Sequence, residues 1–506
     1  MIRLTNKTKT KGAFFMYNSI LKFNEIGREK IEKIIKNFVM DEDKSLGDLV
    51  MELEKPLQEL QRDIIKEVIE EIDKAYIEDK SREEKYHIVK RNKKNSTLTT
   101  CGSVKYKRTY FQNIKTGEYV FLADKAVGIT KNMRKSEDVS MKILENAADM
   151  SYRLSGKKAT KTEDEVSKQA VMKEIHDLEI PKVKPKLKNG KKRKKKKIYI
   201  NADEDHVSLQ FLNKKGDIKE NENGYKNNTE ISKLIYIYEG KEKESPKSKR
   251  TKLINKYCFG GIEKDSDKLW EEVMNYIAKV YEEEYIENIY IIGDGASWIK
   301  KGVEVLGAKA EFVLDKFHLN QYIQKATSQL GEYAEDVRQY IYDEISFEDK
   351  EGIKRIFDLI KEKTLSEKKI QWVMKAKNYI LNHWEAIIIR NKNKDENLGC
   401  SAEGNVSHIF SSRLSSRPLG WSIKGLDNMA RLRIYRENGG KVYDLVKYQK
   451  EKKQREIKEN IQNEVDKSIR KKRNRYLENW NTQNIATDMG KRTGMYHLMK
   501  QFRGIC

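Results

Sequence analysis

Between Ile198 and Asp315 short apolar runs and amphipathic stretches follow one another in an order that admits few topologies. "IYINA" (198–202) and "VSLQFL" (207–212) read as two strands joined by a short acidic turn, and "KLIYIYEG" (233–240) reads as a third. "SDKLWEEVMNYIAKVYEEEY" (266–285) repeats apolar residues at helical spacing, with Ser266 or Asp267 available as its cap. Strand "NIYIIGDG" (288–295), helix "ASWIKKGVEVL" and strand "AEFVLD" (310–315) complete the series. The first three strands need no crossover and can form an antiparallel meander. The last two are reached through helices, so they lie parallel by right-handed crossovers.

A mixed five-stranded sheet in that order is the ribonuclease-H-like layout, in which the first and fourth strands are neighbours. Each of those strands ends in an acid. Asp294 stands between Gly293 and Gly295, which let the backbone turn sharply and leave the approach clear. Asp203 follows Ile200-Asn201-Ala202, with Asp205 as a competitor two residues on and on the same strand face. Ligands of open α/β sheets gather at the carboxyl ends of strands. Two facing carboxylates repel, and a divalent cation resolves the conflict: Mg²⁺ takes a few carboxylates plus water and phosphate oxygens. Paired ions about 3.5–4 Å apart can clamp the attacking and leaving oxygens of a phosphodiester. The best third acid is Glu403 in "CSAEGNVSHIFSSRLSSRPLGWS", at the start of a helix whose dipole favours its charge. Taken singly, Asp294 is equally well a turn aspartate and Glu403 an ordinary capping residue; their order along such a sheet is what raises them.

The partner follows from charge. Lys and Arg number 103 against 79 Asp and Glu, a net +24, and the excess is clustered. That points to a polyanion, with nucleic acid the commonest. From Lys182 to Lys197 eleven of sixteen residues are basic and none is acidic, which reads as a linker or phosphate-binding arm that includes Arg193. Only four cysteines occur and none forms a CxxC pair, so zinc ribbons and disulfide frameworks have no support. With no apolar run near the ~18 residues of a membrane span and no signal-peptide core, the expectation is a reduced cytoplasmic protein without a membrane partner.

Around the sheet the chain divides into an N-terminal helical region (1–96), a hairpin and helix-turn-helix region (97–180), the basic linker (181–197), a catalytic region (198–436) with a helical insertion at 316–395, and basic C-terminal helices (437–506). The hairpin is expected from the Thr-, Tyr- and Val-rich run after 97, with a Lys-Thr-Gly-Glu turn at 115–118. Ser167, Lys168 and Gln169 open the second helix of the pair, where base edges or phosphates would be met. Arg413, Arg417 and Trp421, after Glu403, suit phosphates and a stacked base.

"YINADEDHVSLQ", "IYIIGDGASWIKKG", "FVLDKFHLNQYI" and "SAEGNVSHIFSSRLSSRPLGWSIKGLDNMARLR" together resemble the transposases of the IS-Lre group of bacterial insertion sequences. That group was long catalogued as an uncharacterised protein family and is related to the Mutator-like DDE transposases; the resemblance spans nearly the whole chain. It implies that Asp203, Asp294 and Glu403 are the DDE triad holding Mg²⁺ (or Mn²⁺). The spacings are 294 − 203 = 91 and 403 − 294 = 109, the second accommodating the helical insertion. It also implies an accessory role for Asp315 and His318 of "DKFH", which share a helix face at i, i+3. The activity implied is cleavage at inverted repeats and strand transfer into target DNA by a homo-oligomer that pairs two ends. Two rivals stand beside it: a structure-specific nuclease on the same fold, and a catalytically silent DNA-binding descendant.

Overall fold

The computed structural model describes residues 18–211 and 228–456, apart from 249, 264, 394, 395, 397 and 418, together with 467, 470, 471, 473 and 474. The chain divides into two compact units, Met1–Val446 and Lys447–Cys506. In the second, residues 447–456 are helical; the rest of the expected C-terminal helices lies outside the described residues save for the five isolated positions.

After helical turns from Asn18 to Gly27, the first unit continues with helices α1 (Arg28–Met40) and α2 (Leu46–Glu78). A capping box starts the longer one: Ser45 Oγ accepts from the Asp48 N–H while the Asp48 carboxylate takes the Ser45 N–H. The expected helical region ends early. β1 (Tyr86–Thr99) is already a strand, paired antiparallel with β2 (Gly102–Asn113), which in turn pairs with β3 (Tyr119–Val120). The expected Lys115–Glu118 turn joins β2 to β3, whereas the long hairpin turns at Thr100–Cys101. β1 escapes period-two reading because it is an edge strand exposed on both faces from Val89 to Lys94, with charges in succession. On the far side of β2, the Lys107 and Thr109 N–H groups are taken by Glu70 and Asp73 of α2.

Helices α3 (Glu137–Asp149), α4 (Tyr152–Lys157) and α5 (Lys168–His176) follow. The basic tract of 181–197 is not a free arm. The Arg193 N–H donates to Val280 O, its guanidinium pairs with Glu239 at 2.7 Å, and Lys182, Lys194, Lys196 and Lys197 meet Glu272, Glu282, Glu287 and Glu396.

The central sheet contains β4 (Lys197–Ser208), β5 (Thr229–Tyr238), β6 (Tyr257–Gly261), β7 (Asn288–Gly293) and β8 (Ala310–Leu314), in the order β8-β7-β4-β5-β6. β4/β5 and β5/β6 are antiparallel; β4/β7 and β7/β8 are parallel. Five mixed strands with a parallel pair at one side match the expectation, but two assignments change. The first two expected strands are one: Asp203, Glu204 and Asp205 stay in β4, opposite Leu234, Lys233 and Ser232. The pleat sends these charges to alternate faces, and two of the three find side-chain partners there. The Trp298 indole donates to Glu204 at 2.7 Å and Ser415 Oγ to Asp205 at 2.9 Å. The true third strand, β6, was missed because "YCFGG" is short and ends in two glycines. A Cβ at Gly260, whose φ is +147°, would stand 2.1 Å from the carbonyl oxygen of Lys233.

Both faces of the sheet are covered, as a sheet with near-continuous apolar strands requires. Ile198, Ile200, Ile235 and Ile291 pack against α6 (Ser266–Val280) and α7 (Ser297–Leu306) through Trp270, Val273 and Ile299. Val207, Leu234 and Tyr236 pack against α13 (Ala402–Val406) and α14 (Ile423–Glu437), and α3 and α5 share that core through Ile143, Ala147, Val171 and Ile175. Between β8 and α13 lies the expected helical insertion: α8 (Lys316–Thr327), α9 (Ala334–Ser346), α10 (Lys350–Glu362), α11 (Glu367–Asn382) and α12 (Trp384–Lys392), with their own core around Ile323, Ile341, Phe357 and Ile380.

Candidate active site

The parallel register of β4 and β7 brings the first two acids together. Asn201 lies beside Ile292, so two residues further on Asp203 comes level with Asp294. Side chains of registered parallel partners leave the same face, here the one carrying Tyr199, Asn201, Tyr290 and Ile292. Asp203 reports the encounter. Burial pushes its carboxyl up to about 6, the Asp294 charge adds to that, and the Glu204 N–H and His318 work against it. Asp294 Oδ1 accepts the Ala296 N–H at 2.9 Å, an Asx turn that opens α7.

Asp315 and His318 belong to the same cluster. Asp315 is 6% exposed, caps α8 by accepting the Phe317 N–H, and holds His318 Nδ1 at 3.1 Å. That contact raises the imidazole above its ordinary range, with the charges of Asp294 and Asp203 reinforcing it and burial opposing. Asp205 is a different case. It is buried, held by Ser415, and raised mainly by burial, so Asp203 is the acid that faces Asp294.

Glu403 is not shown beside these acids; a polar tether holds the segment that precedes it. Asn201 Nδ2 donates to Tyr236 Oη at 2.8 Å and reaches Cys400 Sγ at 3.5 Å, and Tyr236 Oη meets Ser401 Oγ at 2.8 Å. Cys400 therefore sits over the site, its thiol pushed up to about 12 by burial and by the charges of Asp315 and Asp203. Three residues on, Ala402 and Val406 bury themselves in the core while Glu403, in the first turn of α13, is exposed. The paired carboxylates of Asp203 and Asp294 suit the Mg²⁺ preference for one or two carboxylates plus water and phosphate. A closed cage is not assembled: among the described residues no group of three or more His, Cys, Asp and Glu is gathered to hold a metal ion.

Sequence reasoning missed the groups that the insertion supplies. Tyr379 Oη on α11 donates to the main-chain oxygen of Asp294 at 2.6 Å, and its ring stacks on Tyr322 with centroids 4.0 Å apart. His383 rests against Gly295, and Arg390 Nε donates to Leu314 O. They lie some eighty residues beyond the strand end they touch and carry no local signature.

Several proposed DNA contacts have structural duties instead. Ser167 Oγ accepts the Ala170 N–H and caps α5, although Lys168 and Gln169 are exposed. The segment between α4 and α5 spans 158–167, longer than the 3–4-residue turn of a helix-turn-helix. Arg193 is committed to Glu239. Trp421 is 6% exposed and donates to Leu414 O. Arg413, also 6% exposed, donates to Ala147 O and lies over the rings of Trp421 and Tyr152, at 4.7 and 5.7 Å; burial pulls its guanidinium down to about 10. Arg417 alone of that trio is exposed. Arg413→Ala therefore removes packing and orphans a carbonyl, costing about 2 kcal/mol, whereas Arg417→Ala should leave the melting temperature in place. Thermal melts of the two variants check both.

A family model described as Uncharacterised protein family (UPF0236) matches residues 39–453. UPF0236 protein TTE2489 of Caldanaerobacter subterraneus subsp. tengcongensis is 39% identical over 411 residues, covering 81% of this chain and 83% of the relative. Another protein of that organism, whose UPF0236 name joins eleven labels of the same series, is 40% identical over 81% of this chain and 80% of its own length. The UPF0236 protein in vanSb 3′ region of Streptococcus gallolyticus is 26% identical over 81% and 86%. Among solved structures, a chain of the Drosophila P element transposase strand transfer complex aligns over 65% of this chain and 84% of its own, at 13% identity and a TM-score of 0.22, too slight a likeness to carry weight.

Proposed function

The chain belongs to the UPF0236 family, and we propose that it is a DNA transposase with a ribonuclease-H-like core, cutting the ends of an insertion sequence and joining them to target DNA. The observation that carries this is the meeting of Asp203, within β4, and Asp294, just past the carboxyl end of β7, beside Asp315 and His318, in a chain of net charge +24. A second support is the relative named by eleven labels of one series, since repeated copies of one coding sequence are what a mobile element leaves.

In this reading Asp203 and Asp294 hold Mg²⁺ or Mn²⁺, with Glu403 as third ligand. Bound there, the metal supplies charge neutralisation at the attacking and leaving oxygens of the phosphodiester. The chain's own residues position and restrain. Tyr379 and the Ala296 N–H fix the Asp294 turn from both sides. The Asp315-held imidazole of His318 presents a donor beside the two carboxylates, suited to a phosphate oxygen of the scissile strand. Arg417, Lys168 and Gln169 contact phosphates outside the site. Two ends must be processed together, so the working form is a homo-oligomer.

The test is strand transfer of a labelled element end in Mg²⁺ or Mn²⁺. Wild type joins the end to target DNA. Asp203→Ala, Asp294→Ala and Glu403→Ala bind DNA but join at below about a hundredth of the wild-type rate; joining that survives in all three rejects the assignment. One observation favours a second reading: Glu403 is exposed and no three-ligand group is gathered among the described residues. A silent DNA-binding descendant would bind DNA and join nothing even as wild type.

A further inference from the structure

We infer that the two-stranded ribbon formed by β1 and β2 is a docking surface for the phosphates of duplex DNA, through Arg91, Lys94, Lys105 and Lys107. The inference rests on the DNA-directed reading above and extends it to residues that the motifs do not include. In the antiparallel register Lys94 stands directly opposite Lys107, and Ser96 opposite Lys105. The pleat puts Lys94, Lys105 and Lys107 on one face, all exposed. Like charges placed opposite each other across a ladder destabilise it, and a structural surface relieves such a pair with an acid. Here none of the three has an acidic partner among the described residues; the one carboxylate that reaches the strand at this point, Glu70, accepts the Lys107 backbone N–H. By contrast, the basic pair next along the ladder, Lys93 and Arg108, is satisfied. Lys93, the neighbour of Lys94, lies over the Tyr110 and Phe121 rings, and Arg108 pairs with Asp124.

The shape fits the same partner. Lys105 and Lys107 are two residues apart, about 7 Å along the strand, and a two-stranded ribbon is one of the elements that the major groove of duplex DNA admits. The ladder shifts register between Ile88 and Lys93, where Asn92 takes φ +55° and Arg91 is exposed at the irregularity. Such a bulge bends and twists a strand, here at the end of the basic face. An edge strand exposed on both faces invites pairing with another strand, and lysines on it block that; the unrelieved positive face instead selects a polyanion.

The experiment uses the full chain and a fluorescent random-sequence duplex, with affinity followed by anisotropy across a salt series. The variant Lys94→Thr/Lys105→Thr/Lys107→Thr should bind at least about tenfold more weakly, and the slope of log K against log salt should fall by about 0.9 for each phosphate that the variant no longer neutralises. Lys94→Glu is the decisive single change. It creates an opposite-charge pair with Lys107, so the melting temperature should hold or rise while affinity for the duplex falls; a purely structural role for Lys94 cannot produce that combination. Wild-type affinity and slope in both variants, in a chain that binds duplex, overturn the ribbon surface and leave the transposase reading standing. With a fluorescent single strand of the same length titrated in parallel, a loss confined to single-stranded DNA overturns the commitment to duplex. A wild-type chain that binds no DNA at all overturns the ribbon and the functional reading together.

Discussion

Asp203→Asn should yield a protein that is more thermostable than wild type at neutral pH and that joins no DNA. The argument begins with the carboxyl held at about 6 in the fold against 3.8 as its ordinary value, chiefly by burial and then by the Asp294 charge. A folded-state value above the unfolded one means that the native state binds the proton more tightly. Below the unfolded value both states are protonated and the site imposes no penalty. As pH rises through about 6 the native state must accommodate a second carboxylate beside Asp294, and stability is lost until the group is fully ionised. A rise of that size corresponds to about 3 kcal/mol; with solvent still reaching a partly exposed side chain, about 1–2 kcal/mol is the fair expectation. Asparagine is isosteric, and its Oδ1 can still accept the Glu204 N–H that Asp203 Oδ1 accepts at 2.8 Å. The gain should therefore be present at pH 7.5 and absent near pH 4, in melts run with a chelator so that no cation neutralises the pair. Equal gain at both pH values would mean that charge is not its source. A site that holds like charges together at a cost to folding, and needs both for chemistry, is a common arrangement in active sites.

The sheet was legible because its central strands are continuous apolar runs, and the ends of such runs fix where Asp203 and Asp294 fall whatever their partners. The acidic stretch after Ala202 was misread as a turn for an equally physical reason. Three consecutive charges look like a break, yet in a pleated strand they alternate faces, and distant groups reach two of them, Trp298 for Glu204 and Ser415 for Asp205. Arg413 and Trp421 show the converse. Near a candidate acid they look like a phosphate clamp, but a guanidinium that stacks on two rings and finds Ala147 O can be buried whole. The basic tract of 181–197 contains no acid, and its neutralising partners, Glu239, Glu272, Glu282 and Glu287, come from elements 40 or more residues later. Pairings at that separation leave no trace in local pattern. Tyr379 is the clearest case: only the fold of the insertion brings it to Asp294.

Gly295→Ala should be the most damaging single methyl in the candidate site. The residue takes φ +96°, a region costing an L-residue about 1–2 kcal/mol. A Cβ would also stand 2.1 Å from His383 Nε2 and 2.7 Å from Cδ2. His383 cannot simply swing aside, since its Nδ1 faces Tyr379 O at 2.8 Å at the end of α11 and the Tyr379 ring lies 4.6 Å from its own. Strain and overpacking together should cost about 3 kcal/mol. The displaced groups include the one that holds the Asp294 main chain, so joining activity should fall about a hundredfold even at temperatures where the variant is folded. The two contributions separate in the double variant Gly295→Ala/His383→Ala, which removes the clash and keeps the backbone strain. It should recover about 1–2 kcal/mol relative to the sum of the single changes. Simple additivity would show that the insertion does not press on the Asp294 turn, and that Tyr379 and His383 cover this end of the sheet without positioning it.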